Sequence, residues 1–315
     1  MTQELVLLGD IGGTNARFAL ARNDRIEMLG SLRVAEYPTA RAALTEVLQR
    51  LPAARPRRAV FACAGPVEAG AIALTNSAWR LGERELEARF GFERVLLVND
   101  FAAVAWALPH LHAEHLRPIG TAGGNPGQPS IVLGPGTGLG VAAFLPAPLG
   151  PQVITGEGGH VTLPAADDRE AEVLRRLRAR LGHVSAERLL SGDGLVRLYE
   201  TLGEIDGLSP PPRRAPEITA AAGGCAASRA ALDMFCAMLG GFAGNLALTW
   251  GARGGVYIAG GIAPRIADQI AASAFRRRFE AKGRFQAYLE AIPTQIVLHP
   301  EPAFLGLSRI RSDPA

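Results

Sequence analysis

A glycine-rich hairpin that occurs twice constrains this chain more than any other feature. Gly9-Asp10-Ile11-Gly12-Gly13-Thr14-Asn15 joins two apolar runs near the start, and Gly134-Pro135-Gly136-Thr137-Gly138-Leu139-Gly140 joins two more. Residues 5–10, 16–21 and 26–34 read as three strands, and 131–133, 139–145 and 152–155 repeat the arrangement. Each triplet is followed by alternating helix and strand. The chain is therefore expected to be α/β, built from two halves related by a weak internal duplication of pattern.

In the first half, helices are expected at 39–51, with Thr39 as N-cap, at 83–90, and at 101–108, ended by Pro109. Strands are expected at 59–63 and 94–99. Residues 118–129, rich in Gly and Pro, read as a loop. In the second half, helices are expected at 168–181, 185–190 and 195–202. A long buried helix follows at 226–250 with a flexible step at Gly240-Gly241. Strands at 256–259 and 295–299 and a helix at 303–310 complete the pattern. The division expected is a small α/β domain at 1–110, to which 301–315 returns, and a large α/β domain at 111–300.

Composition removes several functions. Lys282 is the only lysine among 315 residues, so neither a Gly-Lys-Ser/Thr phosphate loop nor the strand lysine of a protein kinase is available. Any nucleotide must be held by other means. Net charge is +3, and the short runs Arg57-Arg58 and Arg276-Arg277-Arg278 lack a wider basic or aromatic flank, which argues against nucleic acid. Cys63, Cys225 and Cys236 form no Cys-x-x-Cys pair, so no zinc site or disulfide framework is expected. The amino terminus lacks the basic and apolar regions of a signal peptide, and no stretch reads as apolar for long enough to span a bilayer. A cytoplasmic protein without a membrane partner is the simplest expectation.

In the first hairpin, Gly9, Gly12 and Gly13 let the backbone approach an anion, with the amide of Ile11 beside them, and Thr14 adds a hydroxyl. Asp10, at the strand end, suits Mg²⁺ shared with phosphate oxygens. Gly136, Thr137 and Gly138 form the second such loop. It is a poor dinucleotide fingerprint, because strands flank it on both sides. Gly260 and Gly261, in Ala259-Gly260-Gly261-Ile262, follow an apolar strand and leave room for a base or ribose. Taken singly, each fits an ordinary turn as well as a ligand loop. Three in this order and strand context specify phosphate handling.

Asn99-Asp100 stands where a buried strand meets a helix, the strand end at which α/β sheets bind ligands. Spacing alone makes the pair a helix cap. Gly156-Glu157-Gly158-Gly159-His160 puts a carboxylate and an imidazole on a turn that the glycines keep from being helical. Glu187 opens a short helix in Ser185-Ala186-Glu187-Arg188-Leu189-Leu190-Ser191-Gly192, where spacing alone makes it a capping-box partner or a solvated residue. His110, His112 and His115 look like a metal cluster but read as surface histidines.

Asp-x-Gly-Gly-Thr, then Gly-x-Gly-Thr-Gly, then Ala-Gly-Gly, resembles the hexokinase, actin and Hsp70 ATPase superfamily. The Asn-Asp pair, the Gly-Glu-Gly-Gly-His turn and the Glu of Glu-x-x-Leu-Ser-Gly narrow the resemblance to bacterial glucokinases, over nearly the whole chain. It implies a two-lobed actin-like (ribonuclease-H-like) ATPase fold with a cleft between a smaller and a larger domain. It also implies a homodimer, and the use of ATP and Mg²⁺ to phosphorylate the 6-hydroxyl of glucose. By resemblance Asn99, Asp100, Glu157, His160 and Glu187 bind the sugar and Asp100 is the base, while Gly65, Pro66 and Asn76 shape the pocket. The cysteine-rich zinc motif of related repressor and kinase proteins is missing, so no structural zinc is implied. Residues 279–285 also resemble a glucokinase segment; a surface contact or a stabilising loop is expected there. A kinase for another hexose or aminosugar, a non-catalytic sugar sensor, and a chaperone or filament ATPase remain the competing readings. The last two are disfavoured by the missing helix-turn-helix and by the polar sugar cluster.

Overall fold

The computed structural model describes residues 5–23, 25–51, 55–74, 77–120, 123–148 and 150–310. The chain divides into two compact units, one of Met1–Leu111 with His299–Ala315, the other of His112–Leu298.

The first unit opens with β1 (Leu5–Ile11), β2 (Asn15–Arg22) and β3 (Arg25–Arg33), an antiparallel meander. Next come α1 (Ala40–Gln49), β4 (Arg58–Cys63), the small hairpin of β5 (Ala71–Ala73) and β6 (Arg80–Gly82), α2 (Glu83–Phe90), β7 (Arg94–Asn99) and α3 (Asp100–Ala107). The main sheet runs β3-β2-β1-β4-β7, with β1, β4 and β7 parallel. Strands buried on both faces read as apolar runs, and Leu7, Leu8, Val60 and Phe61 are almost fully buried. Thr39 caps α1 by accepting from the Ala42 amide at 3.2 Å, and Gly91, at φ +72°, ends α2 in the left-handed region. Phe18 and Phe61 meet edge to face at 6.5 Å in the core.

The second unit contains β8 (Leu116–Ile119), β9 (Ser130–Pro135), β10 (Leu139–Leu145) and β11 (Gln152–Gly156). It continues with α4 (Asp168–Leu181), α5 (Ala186–Leu189), α6 (Gly192–Ile205), α7 (Ala215–Ala221), α8 (Ala226–Trp250), β12 (Gly255–Ile258), α9 (Ala267–Ala272), α10 (Phe275–Glu280), α11 (Gln286–Glu290) and β13 (Thr294–Val297). Its sheet runs β11-β10-β9-β12-β13-β8. β9 to β11 are antiparallel, while β9, β12 and β13 are parallel. The meander followed by two parallel strands repeats the first unit's order, with β8 added at the edge. The duplication is therefore topological.

Three expectations are corrected. Residues 118–129 are not wholly loop: Pro118 and Ile119 belong to β8, an edge strand, where a proline without an amide proton is tolerated. α8 has the length and composition of a membrane span, with a mean hydropathy of 1.4, but 78% of that window is buried within the protein. Gly240-Gly241 is not a flexible step, because α8 runs through it unbroken. A Cβ on Gly240 would collide with the carbonyl of Phe275, so glycine is needed there for α10 to approach. The hairpin of β5 and β6, and the helices α7, α9, α10 and α11, were not expected. All are short, with too few turns to show a period.

The helix Pro302–Leu307 returns to the first unit, where a Cβ on Gly306 would collide with the Ala103 carbonyl of α3. Gly306→Ala is therefore expected to cost about 1–3 kcal/mol by overpacking. A thermal melt should show a clear fall; an unchanged midpoint would mean the contact is looser than described.

Candidate functional site

In the first unit the site grows from strand register. Ile11 pairs with Cys63, and Cys63 with Asn99, so the carboxyl ends of β1, β4 and β7 fall on one edge. The Ala64 amide donates to the Ile11 carbonyl at 3.1 Å, fastening the segment that carries Gly65 and Pro66 to the first hairpin. Gly65 sits at φ +131°, a conformation glycine adopts freely. Its carbonyl accepts from Asn99 Nδ2 at 3.1 Å. Asn99 Oδ1 accepts from the amides of Phe101 and Ala102 at 2.9 and 3.2 Å, so Asn99 is the N-cap of α3. Asp100 is thereby the first helical residue, its Oδ1 2.9 Å from the Phe101 amide. Asp10 and Asp100 both bear on the buried Cys63 thiol, whose pKa is pushed up by burial first and by the two carboxylates next. Asn76 lies outside the described residues.

The hairpin itself turns on the Gly12 amide, which donates to the Asn15 carbonyl at 3.0 Å. The amides of Gly13 and Thr14 donate to no backbone carbonyl among the described residues, and Thr14 is exposed. Gly9 has a different reason for being glycine. It lies inside β1, where a Cβ would stand 2.7 Å from the Phe61 ring, so packing rather than anion access requires it. Ile11 likewise buries its side chain in the core. Asp10 Oδ2 is paired with Arg17, whose other nitrogen donates to Glu301 at 2.6 Å. The reading of the sequence missed both partners. Hairpin register alone could have found Arg17, which faces Asp10 across β1 and β2. Glu301 carries no such signal.

In the second unit the Gly136 amide closes the hairpin on the Gly138 carbonyl at 2.8 Å, leaving Thr137 exposed. Gly260, at φ +81°, is packed beside it: a Cβ there would stand 2.6 Å from the Pro135 carbonyl. The Ile262 amide donates to the same carbonyl at 3.1 Å. A Cβ on Gly261 would meet open space. The second and third glycine loops are thus neighbours.

Glu187 is no solvated helix residue. Its Oε2 accepts from the Leu139 amide at 2.9 Å, and a Cβ on Gly138 would stand 2.5 Å from that oxygen. Gly138 therefore makes room for Glu187. Glu157 and His160 flank a single turn, with His160 Nε2 3.7 Å from Glu157 Oε2 and both side chains exposed. The turn lies against the start of β10, because a Cβ on Gly159 would collide with the Leu139 carbonyl. Leu139 therefore touches both Glu187 and the turn that bears Glu157 and His160. His112 and His115 face each other with ring centroids 5.9 Å apart, and among the described residues no group of three or more His, Cys, Asp or Glu is arranged to hold a metal.

Two α/β units of like topology, each with a glycine hairpin at the head of its sheet, define the two-domain actin-like ATPase fold. A glucokinase crystal structure from an Antarctic psychrotroph has that architecture, superposing with a TM-score of 0.88 at 34% identity over 97% of this chain and 98% of the other. The chain belongs to the glucokinase family, whose profile, described as Glucokinase, matches residues 7–313. It is 47% identical to the glucokinase of Paramagnetospirillum magneticum, over 99% of this chain and 98% of that one. It is 45% identical to the glucokinase of Nitrobacter hamburgensis, over 98% of both.

The two ends of the Asn99 side chain are separable. Asn99→Ala should cost about 1 kcal/mol through the lost cap. Asn99→Asp should keep the cap and lose only the bond to Gly65. Urea melts of both variants distinguish the contributions, and equal stability loss would contradict the assignment.

Proposed function

We infer that this chain is a glucokinase: it transfers the γ-phosphoryl group of Mg·ATP to the 6-hydroxyl of D-glucose, giving glucose 6-phosphate and ADP. The observation that carries the reading is the division of labour at the β7–α3 junction. Asn99 is the N-cap of α3 and Asp100 its first residue, with Asp100 Oδ1 2.9 Å from the Phe101 amide, so the carboxylate stands at the same sheet edge as the end of β1 that opens the first glycine hairpin. Family membership, with relatives named Glucokinase, supports the choice of glucose.

In the proposed step, Asp100 takes the proton of the 6-hydroxyl as its oxygen bonds to the γ-phosphorus and the bond to the bridging oxygen of ADP breaks. Amides of Gly13 and Thr14, the Thr14 and Thr137 hydroxyls and the Gly136–Gly138 turn act on the phosphates, where developing charge is greatest. Gly261, facing open space, leaves room for the nucleoside, and Gly260 sets the turn that presents it. Magnesium arrives as part of the nucleotide substrate; of the residues here, Asp10 would steady it through the oxygen not paired with Arg17. Asn99, Glu157, His160 and Glu187 pair the remaining sugar hydroxyls, so an analogue lacking one leaves a polar group unmatched. Gly65 and Pro66 shape the pocket, and residue 76 belongs to the same proposal. A cytoplasmic homodimer completes it on family resemblance alone; light scattering at twice the chain mass would test the dimer.

Asp100→Asn should lower kcat at least about a hundredfold, the size of a general-base contribution, while the KM for ATP stays close to wild type. Near-normal turnover would remove Asp100 from the role. Production of ADP across a panel of hexoses and aminosugars should be strongest with glucose. A different preferred sugar would transfer the assignment to that sugar, and no sugar-dependent ADP would refute a kinase.

A further inference from the structure

Lys282 combines unusual features. It is the chain's only lysine. It lines a cavity of about 440 Å³ in the second unit, between the residues 163–167, α8 and the end of α10. Its Nζ donates to the Gly241 carbonyl at 2.9 Å and to Asn245 Oδ1 at 2.7 Å. Both acceptors are neutral, and an ammonium has three donors. Two arginines line the same cavity. Arg278 is neutralised by Glu170 at 2.8 Å and Asp167 at 3.4 Å. Arg277 is exposed and has no carboxylate partner among the described residues.

The charge in this cavity is therefore uneven. Arg278 is matched, while Lys282 and Arg277 are not, and the one carboxylate on the lining, Asp167, already serves Arg278. Burial, and then the neighbouring Arg278, hold the Lys282 pKa below its ordinary value, as expected for an ammonium lacking a counter-charge. Tethering α10 to α8 explains two of the lysine's bonds. It explains neither the open volume nor the second unmatched cation. A cavity of this size suits a small metabolite, and charge-assisted bonds from an ammonium and a guanidinium favour a phosphoryl group.

The cavity is also joined to the sugar constellation. Its wall at Leu163 continues from the turn that bears His160, and the Leu163 amide donates to the Val184 carbonyl at 3.1 Å. The Ala186 amide donates to the Val161 carbonyl at 2.9 Å, one residue before Glu187. An occupant bearing on residues 163–167 thus presses on a short ladder that holds Glu187 at one end and follows His160 at the other.

We propose that the cavity between residues 163–167, α8 and α10 is an effector site for a small phosphorylated anion, gripped by Lys282 and Arg277. Binding can be tested without reference to the kinase reading; the effect on sugar rests on that reading. Isothermal titration of inorganic phosphate into the full chain, with a non-hydrolysable ATP analogue occupying the glycine loops, should show saturable uptake. Arg277→Gln removes an exposed side chain that has no carboxylate partner among the described residues, and should leave the fold intact. It should weaken that uptake about threefold to tenfold, the scale of one ordinary hydrogen bond, and Lys282→Gln roughly tenfold, the lower end for a hydrogen bond to a charged group. If Lys282→Gln fails to fold by circular dichroism, Arg277→Gln decides. Absence of saturable uptake, or undiminished affinity in Arg277→Gln, overturns the site. Phosphate should also shift the KM for glucose in the wild type and not in Arg277→Gln; a KM indifferent to phosphate removes the effector role.

Discussion

The first unit's site depends on one amide side chain. Asn99 ends a buried strand, and its oxygen satisfies two of the orphan amides that every helix start exposes. Its nitrogen reaches back to Gly65. With both ends engaged, the side chain fixes the angle between β7 and α3 and the position of the segment after β4. Asp100 inherits its place from that geometry. A capping aspartate could satisfy the helix equally well, but it has no proton to give to the Gly65 carbonyl. The amide is the residue type that does both.

The second unit solves a related problem with a carboxylate. Glu187 accepts from the Leu139 amide, and Gly138 lacks a side chain where that carboxylate lies. Gly159 is empty for a similar reason, allowing the turn of Glu157 and His160 to rest on the Leu139 carbonyl. The glycines in these motifs therefore do several jobs. Gly65 and Gly260 use a positive φ, Gly9 yields to an aromatic ring, Gly138 yields to a carboxylate, and Gly261 faces open space. A glycine-rich string is not uniformly a phosphate cradle, even where the string as a whole points to one.

This explains which parts were legible in the sequence. The bounds of α2, β7, β10, α4 and α8 follow from apolar period, caps and breakers, and the structure has them where those signals fall. The repeated strand order was visible because each meander carries its own glycine turn. Short helices such as α9 and α11 were not, since five or six residues do not define a face. Chemistry brought together by tertiary contact was the least legible. Spacing made Glu187 a capping-box partner or a solvated helix residue, whereas a contact 48 positions away makes it part of the second hairpin. Arg17 was readable from hairpin register, but its second partner lies 284 positions away.

That second partner also bears on the chain's near-exclusive use of arginine. A guanidinium is a planar fork, able to hold two carboxylates in fixed directions, whereas an ammonium is a compact point charge on a flexible stem. Arg17 uses the fork to join Asp10, on β1, to Glu301, just before the returning helix Pro302–Leu307. The same helix packs on α3 through Gly306. The returning segment therefore touches both β1, which bears Asp10, and α3, which bears Asp100, through a charge pair at one and a close backbone contact at the other. A chain that ended before Glu301 would keep the glycine hairpin and the Asn99 cap. It would lose the restraint that sets Asp10 and α3 from one side, which is a physical reason for the fold to bring its last segment back to its first domain.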